Sequence, residues 1–455
     1  MINRVNMWIE CICIVEFNVD KGHQIEMIYP IENTLSESDK KFIKWTSMPE
    51  LNIDFEGDNQ FHFRINSKSS NLFHGSYGEN SLFGYVNFRQ TRDLSLKRGS
   101  FQQSVIVLSR LQFKNLFYKL TEIISKEFFK VGKSALESIY SEMSYWDSPI
   151  PDKQISLKIN NNTIQTILPN NFYFQDLYME SKNSISYPSD TILYNFKIIA
   201  DPDNFNFLPL FSSFICLFQQ LWEMVLLNKP ILVSSESVTS VAKFVELLAS
   251  LTTPLGLSQE IIPIFTIHNE RYKEFANKHS PIPSAIVGIN NPFLVKSFNH
   301  WPHIVQLPNS ADKLFKSTFS TKKFAIQSIP APGLYTNYKR FLKPENEFIE
   351  FTCSGLMKNR SNDIQNSYIR NFFHKLTKRF MYPLDQYLSL IDTDQNKVFR
   401  FGEFFDFLEN GKINSKGKVS GNWKGLYKEF MKSRNFIKWL NKTEKVQFDI
   451  INVEI

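Results

Sequence analysis

The chain has 455 residues, enough for two or three domains that each bury a core of their own. Hydrophobic residues make up 42% and charged residues 21%, a balance that excludes wholesale disorder. Fifty-two Lys and Arg against 45 Asp and Glu leave a net +7, mild for a dedicated nucleic-acid binder and suited to weak attraction toward an acidic partner or membrane surface, so no nucleic-acid partner is expected.

Trp8–Phe17 predicts a long central strand, and Asn18–Gly22 the turn into a second strand over Gln24–Tyr29 that Pro30 ends. Within the first strand Cys11 and Cys13 alternate among isoleucines and read as small buried apolar residues. Together with Cys216 and Cys353 they are too few and too scattered for a disulfide framework, which points to a reducing compartment. Glu10 and Glu16 interrupt the apolar run, so neither a secretory signal nor a membrane anchor is expected there. Ser36–Trp45 opens like a capped helix and keeps helical spacing, and Phe61–Ile65 returns to an extended pattern. Next, Leu82, Gly84, Val86 and Phe88 fall on one face of a strand while Tyr85, Asn87 and Arg89 fall on the other, and Ser104–Ser109 reads as its fully buried partner. The fourteen residues Gln90–Gln103 between them carry Arg92, Lys97 and Arg98 against Asp93. A loop that long in a compact domain is more often functional than idle. Helices follow at Leu111–Phe129 and Lys133–Trp146.

Residues 149–206 read as a linker with an insertion, containing a hairpin over Ile155–Leu168 that turns at Asn160–Asn162. From Phe207 a helix to Leu227, strand Ile231–Ser234, helix Ser237–Ser250, strand Ile262–Thr266, helix Asn269–Asn277, strand Ser284–Val287 and strand Ile304–Leu307 alternate, which predicts a mainly parallel sheet covered on both faces. Ligands of such sheets gather at the carboxyl ends of the strands, here Ser234–Glu236, His268 and Gly288–Asn291. Gln219, Gln220 and Glu223 make Phe207–Leu227 a core helix rather than a bilayer crossing. Beyond 333 strands are expected to give way to helices at Asn346–Lys358, Ile364–Ile391, Phe401–Asn410 and Trp423–Asn441, with Pro383 kinking or dividing the second.

Asp392–Glu403 offers acids or amides at loop positions one, three and five and a Glu at twelve, the ligand order of a calcium-binding EF-hand. Lys397 stands where the sharp turn needs glycine, Arg400 brings a cation, and no second hand pairs with it, so a solvated interhelical loop is the expectation. His300 and His303 flank Pro302 with no cysteine or acid cluster beside them in sequence and read as packed imidazoles; no metal and no cofactor are expected. Phosphate loops, Gly-x-Ser-x-Gly elbows and His-Glu-x-x-His are absent from the sequence, which holds no self-contained catalytic constellation.

The string Phe83-Gly-Tyr-Val-Asn-Phe-Arg-Gln-Thr-Arg-Asp, followed by Leu96-Lys-Arg-Gly-Ser-Phe-Gln-Gln, resembles the upstream module of DENN-domain proteins, most of all the DENN domain-containing protein 6 branch. The likeness continues, in the family's order, through Leu221-Trp-Glu-Met-Val-Leu-Leu-Asn-Lys-Pro, Phe265-Thr-Ile-His, Ile289-Asn-Asn-Pro-Phe with Trp301-Pro-His-Ile, Pro332-Gly-Leu-Tyr-Thr-Asn-Tyr and Asn422-Trp-Lys-Gly-Leu-Tyr. The resemblance implies an α/β protein of three modules: a longin-like upstream module over 1–148, joined by 149–206 to a central α/β module (cDENN) over 207–330, then an all-helical downstream module (dDENN) over 331–455. It also implies a guanine nucleotide exchange factor for a Rab-family small GTPase, cytoplasmic and peripheral on endosomal or other secretory-pathway membranes. Such a factor needs no covalent chemistry, only tighter binding of the nucleotide-free GTPase than of the loaded one. By the resemblance, the GTPase would face Arg89, Arg92, Asp93, Lys97, Arg98 and Gln102 in the first module and Thr252, Thr253, Pro254, Asn290 and Asn291 in the second. Two alternatives stand beside this. Arg98, before Gly99, matches the position from which folliculin-like complexes supply an arginine finger for GTP hydrolysis. The chain could also be a non-catalytic trafficking scaffold, with Leu426, Tyr427, Phe430, Met431, Ile437 and Trp439 of the last helix facing either a membrane or, as expected of most amphipathic helices, the core.

Overall fold

The structure, a computed structural model, describes residues 8–52, 54–65, 81–150, 153–168, 195–199, 212–308, 331–358, 360–391, 399–410 and 420–441. Its front lobe is built on β1 (Cys11–Asn18), β2 (Gly22–Tyr29), β3 (Gly57–Ile65), β4 (Leu82–Arg92) and β5 (Ser100–Ser109), antiparallel in the order β2-β1-β5-β4-β3. The period-2 alternation read from the sequence decides which face each residue buries. Val15, Phe61, Val86, Phe88 and Ile106 point toward the rest of the molecule, whereas Ile14, Tyr85, Val105 and Val107 point toward α2 (Lys114–Val131) and α3 (Lys133–Ser144). Gly84 is required by its cross-strand neighbour Phe63, whose ring lies so close that a Cβ would stand 2.3 Å from Cζ. A capping box starts α1 (Glu37–Thr46): Ser36 Oγ accepts the Asp39 N–H and the Asp39 carboxylate accepts the Ser36 N–H.

The hairpin expected within 149–206 is β6 (Gln154–Ile159) and β7 (Asn162–Ile167), joined by β8 (Asn195–Ile199) running parallel to β7. Ile155, Leu157, Ile159 and Ile164 bury against the same core as α2 and α3.

The central sheet has the order β10-β11-β9-β12-β13, from β9 (Ile231–Ser234), β10 (Glu260–Ile262), β11 (Ala285–Ile289), β12 (His303–Gln306) and β13 (Gly333–Thr336), parallel except for β12 with β13. Several expectations are corrected here. The strand expected over Ile262–Thr266 ends at Ile262, because Pro263 has no N–H to extend the ladder. The single helix expected over Phe207–Leu227 is, in its described part, a 3-10 helix (Ser212–Leu217) leading into α4 (Phe218–Leu226). After α5 (Val238–Ser250), the helix expected over Asn269–Asn277 shrinks to one turn, α6 (Tyr272–Phe275), and a short α7 (Pro292–Ser297) follows β11. Strands do not give way at 333: β13, four residues long, adds the antiparallel edge. Where β11 passes Pro263, a Cβ on Gly288 would lie 2.0 Å from the Pro263 carbonyl oxygen, so only glycine fits.

The helical tail comprises α8 (Asn346–Met357), α9 (Asn362–Ile391), α10 (Phe401–Asn410), α11 (Trp423–Met431) and α12 (Arg434–Asn441). Helix α9 runs through Pro383 undivided. The single helix expected over Trp423–Asn441 is two, because Ser433 Oγ accepts the Phe436 N–H and starts a new one. Leu426, Tyr427, Phe430, Met431, Phe436 and Leu440 are buried, so this amphipathic stretch serves the core; Ile437 is exposed and Trp439 half-buried. One buried cluster runs without a break from the inner face of the front sheet through α4 and α5 into α9–α12. Among the described residues no helix is long and apolar enough to cross a membrane, and no cluster of His, Cys, Asp or Glu is placed to hold a metal. Residues 392–398 of the EF-hand-like loop lie outside the described residues, and its Glu403 is paired with Arg400 at 2.8 Å.

Candidate protein-interaction site at the seam of the two lobes

The long loop expected over Gln90–Gln103 is mostly ladder. Gln90 pairs with Gln102, Thr91 with Phe101 and Arg92 with Ser100, leaving residues 93–99 as the connection. Polar side chains carry this extension because their amides are satisfied inside the protein: Gln102 Nε2 donates to Gln90 Oε1 at 2.5 Å, and Gln90 Nε2 donates to the Asn52 and Phe55 carbonyls at 2.8 Å each. The tip is likewise built rather than slack. The Asp93 N–H donates to the Gly99 carbonyl at 2.9 Å, and Ser95 donates from N and Oγ to Asp93 Oδ1 at 2.9 and 2.6 Å, which holds that carboxyl below its usual range. Gly99 sits at φ +74°, the left-handed conformation that lets β5 begin at once. Leu94, at the apex, is 79% exposed.

From this tip a row of side chains leads to the central lobe. Lys97 Nζ lies 2.7 Å from Asp20 in the β1–β2 turn, and the Arg98 guanidinium stacks on Phe17 at 4.6 Å. Phe17 meets His23 at 5.2 Å, His23 meets Trp45 at 4.9 Å, and both His23 and Trp45 meet His268 of the central lobe, at 5.2 and 4.4 Å. Burial, followed by the neighbouring His268, Arg98 and Lys44, pushes the His23 imidazole down to about 4, so it is neutral at pH 7. Beside the row stands Glu50. Its Oε1 accepts the Ile267 N–H at 2.9 Å, its Oε2 accepts Asn291 Nδ2 at 2.5 Å, and its backbone carbonyl accepts Asn290 Nδ2. Lys41 reaches Glu270 at 3.2 Å along the same edge.

Helix α5 fixes which ends of the lobes coincide. Its first turn meets β3 where the Gln60 N–H donates to Thr239 Oγ1 at 3.0 Å, and farther along Glu246 is held by His62 and the Tyr118 hydroxyl at 2.6 Å each. The carboxyl end of the central sheet therefore lies toward the tip end of β4 and β5, since Gln60 pairs with Asn87 and Gly57 with Gln90. Phe293, 74% exposed, follows Asn291 at that end, and Ile267 is exposed near Glu50.

The structure thus brings Arg92, Asp93, Lys97 and Arg98 to one exposed or half-exposed edge, with Asn290 and Asn291 behind it at the seam. It does not bring the others there. Arg89 is clamped by its cross-strand neighbour Asp58 at 2.6 and 2.7 Å and stacked on Phe129 at 4.1 Å, on the opposite face of the front sheet. Gln102 is buried in the hairpin stem. Thr252, which is buried, and Thr253 and Pro254, half-buried, follow the far end of α5, about 20 Å from its start at 1.5 Å per residue. Sequence reasoning missed Glu50, His23, Trp45, Leu94 and Phe293. An apolar Leu94 inside a charged stretch was a usable signal; nothing local marked Glu50.

Two lobes thus meet over a polar and aromatic seam, with Leu94 and Phe293 exposed on one lobe and the other. Residues 9–261, more than half of the chain, match the family described as Transport protein Avl9, and the chain belongs to that family. It is similar to Protein DENND6B of Homo sapiens, 29% identical over 471 positions that cover 97% of this chain and 80% of that protein. Protein DENND6A of Gallus gallus is 29% identical over 477 positions with the same coverage, and the Protein DENND6 homolog of Dictyostelium discoideum is 25% identical over 535, covering 98% of this chain and 72% of that protein. The resemblance to the DENN domain-containing protein 6 branch thus extends over nearly the full length of the chain.

Proposed function

We propose that the chain is a guanine nucleotide exchange factor for a Rab-family small GTPase, acting in membrane trafficking, which binds the GTPase across the seam between the β4–β5 tip and the carboxyl-end loops of the central sheet. In this reading the front lobe is the longin-like module, the central sheet the cDENN module and the tail the dDENN module. The observation that carries it is the exposure of Leu94 on the β4–β5 tip and of Phe293 on the carboxyl-end loops, at 79% and 74%, on two lobes that the Glu50 and His23 contacts join. Exchange requires surfaces that hold the switch segments of the GTPase away from nucleotide and magnesium, and two fixed lobes can grip such segments from both sides. Buried apolar anchors supply most of the energy of such interfaces, and charges such as Arg92 and Lys97 steer the encounter.

The folliculin-like alternative fares worse on geometry. A finger must extend into a nucleotide site, whereas Arg98 lies half-buried on Phe17. The decisive measurement is release of a fluorescent GDP analogue from a panel of purified Rab proteins, with GTP hydrolysis followed in parallel. Accelerated release is expected for at least one member, falling about tenfold or more in Leu94→Asp and in the double variant Arg92→Glu, Lys97→Glu, with unchanged thermal midpoints. Hydrolysis that is accelerated and lost in Arg98→Ala selects the alternative; no effect on either reaction across the panel overturns both.

A further inference from the structure

In a parallel α/β sheet the crevice beyond the carboxyl ends of the strands is where a ligand sits. Here that crevice receives a side chain of the protein itself. Glu50 leaves the front lobe just after α1 and places its carboxylate between the Ile267 N–H, at 2.9 Å, and Asn291 Nδ2, at 2.5 Å. Asn291 is doubly engaged, since its Oδ1 accepts the Phe293 N–H at 2.9 Å and starts α7. The same front-lobe segment continues to Asn52 and Phe55, whose carbonyls hold Gln90 of the hairpin stem at 2.8 Å. Polar contacts therefore run from the stem of β4 and β5, through residues 50–55, to the loops at 267 and 290–291.

We propose that Glu50 is a positioning residue that fixes the spacing between the β4–β5 tip and the carboxyl-end loops, so that both halves of the interaction surface are presented in one geometry. Ionised acceptors make the stronger hydrogen bonds, and both acceptor atoms are satisfied by groups on one lobe, so the carboxylate keys the other lobe to it. The geometry stands by itself; the consequence for nucleotide release rests on the exchange reading, and the test separates the two.

Spin labels at Leu94→Cys and Phe293→Cys, in the full chain with Cys216 and Cys353 replaced by serine, report the distance between the lobes. One narrow distribution is expected for the parent, and a broadened or displaced one for Glu50→Ala and Asn291→Ala. Glu50→Gln, which keeps an acceptor for one of the two donors, should lie between them. Without labels, Glu50→Ala should lower the maximal release rate by roughly tenfold or more, the scale on which lost positioning acts, while the concentration of GTPase giving half the maximal rate moves less. A distribution unchanged in both alanine variants overturns the proposal even if the parent exchanges nucleotide. Broadening without exchange on any Rab keeps Glu50 as the key between lobes and overturns only its catalytic consequence. If Glu50→Ala fails to fold, Asn291→Ala and Glu50→Gln carry the same comparison.

Discussion

His23 is the most direct handle on the seam because its neighbours all oppose its protonation. Burial acts first, then His268, Arg98 and Lys44, and together they lower it from 6.5 to about 4. An imidazole depressed in the folded state contributes stability that is complete above 6.5 and is lost as pH falls toward 4. Glu246 behaves in the same sense lower on the scale. Burial pushes its carboxyl up, but the His62 and Lys114 charges and the hydrogen bonds from His62 and Tyr118 outweigh burial and hold it at about 2, so its contribution is present above 4.5 and fades below. Thermal midpoints should accordingly fall between pH 6.5 and 4, and His23→Phe should flatten the upper part of that fall; a variant curve that tracks the parent between pH 6.5 and 5 would disprove the assignment. Removing Glu246 strips buried His62 and the Tyr118 hydroxyl of this acceptor and takes the nearby counter-charge from half-buried Lys114, and Glu246→Ala should cost about 3 kcal/mol in urea unfolding at pH 7.

At the scale of elements, the hairpin shows what a sequence carries and what it withholds. The alternation over 82–89 was legible because burial of Val86 and Phe88 on one face and Tyr85 on the other is written in apolarity. The continuation through Gln90, Thr91 and Arg92 was not, since its amides are satisfied by carbonyls 35 and 38 positions upstream. Likewise the site's charged tip was visible as composition, while the Glu50 contacts join residues 217 and 241 positions apart and leave no local trace. Strand β13 was missed for a related reason: β9 and β12, also four residues long, carry buried apolar runs, whereas Gly333–Thr336 becomes a strand only by pairing with β12 about 30 positions upstream. Strand β11 yields an element-scale test. Gly288→Ala forces a methyl against the Pro263 carbonyl and Val241, neither able to yield without moving β10 or α5, and should destabilise by about 2–3 kcal/mol. A cost near zero in equilibrium unfolding would mean that the segment at 263 is not held against β11.

For the molecule as a whole, the question is whether the tail is an appendage or part of the fold. Helix α4 answers it, because its polar residues are committed to the tail side. Glu223 accepts the Tyr338 hydroxyl and the N–H groups of Phe341 and Leu342 at 2.8 to 2.9 Å, and Trp222 Nε1 donates to Thr377 Oγ1 at 2.9 Å. From the far end of the chain, Asn435 Nδ2 donates to the Val225 and Leu226 carbonyls at 3.0 Å, while its Oδ1 accepts the Ser258 N–H at 2.8 Å. Cutting the chain before Trp423 would strip Tyr427 and Phe430 from Phe380 and leave the carbonyls at the end of α4 without these donors. Such a truncation should therefore aggregate or lose its cooperative melting transition, not merely weaken association with vesicles. Asn435→Ala gives the graded version: a drop of about 1–3 kcal/mol, the cost of unpaired buried polar groups, and one transition that shifts as a unit because the core is continuous from β1 to α12. Recovery of a folded, exchange-competent protein lacking residues 423 onward would instead make the tail a separable module, and the helix pair α11–α12 would again be available as a membrane contact.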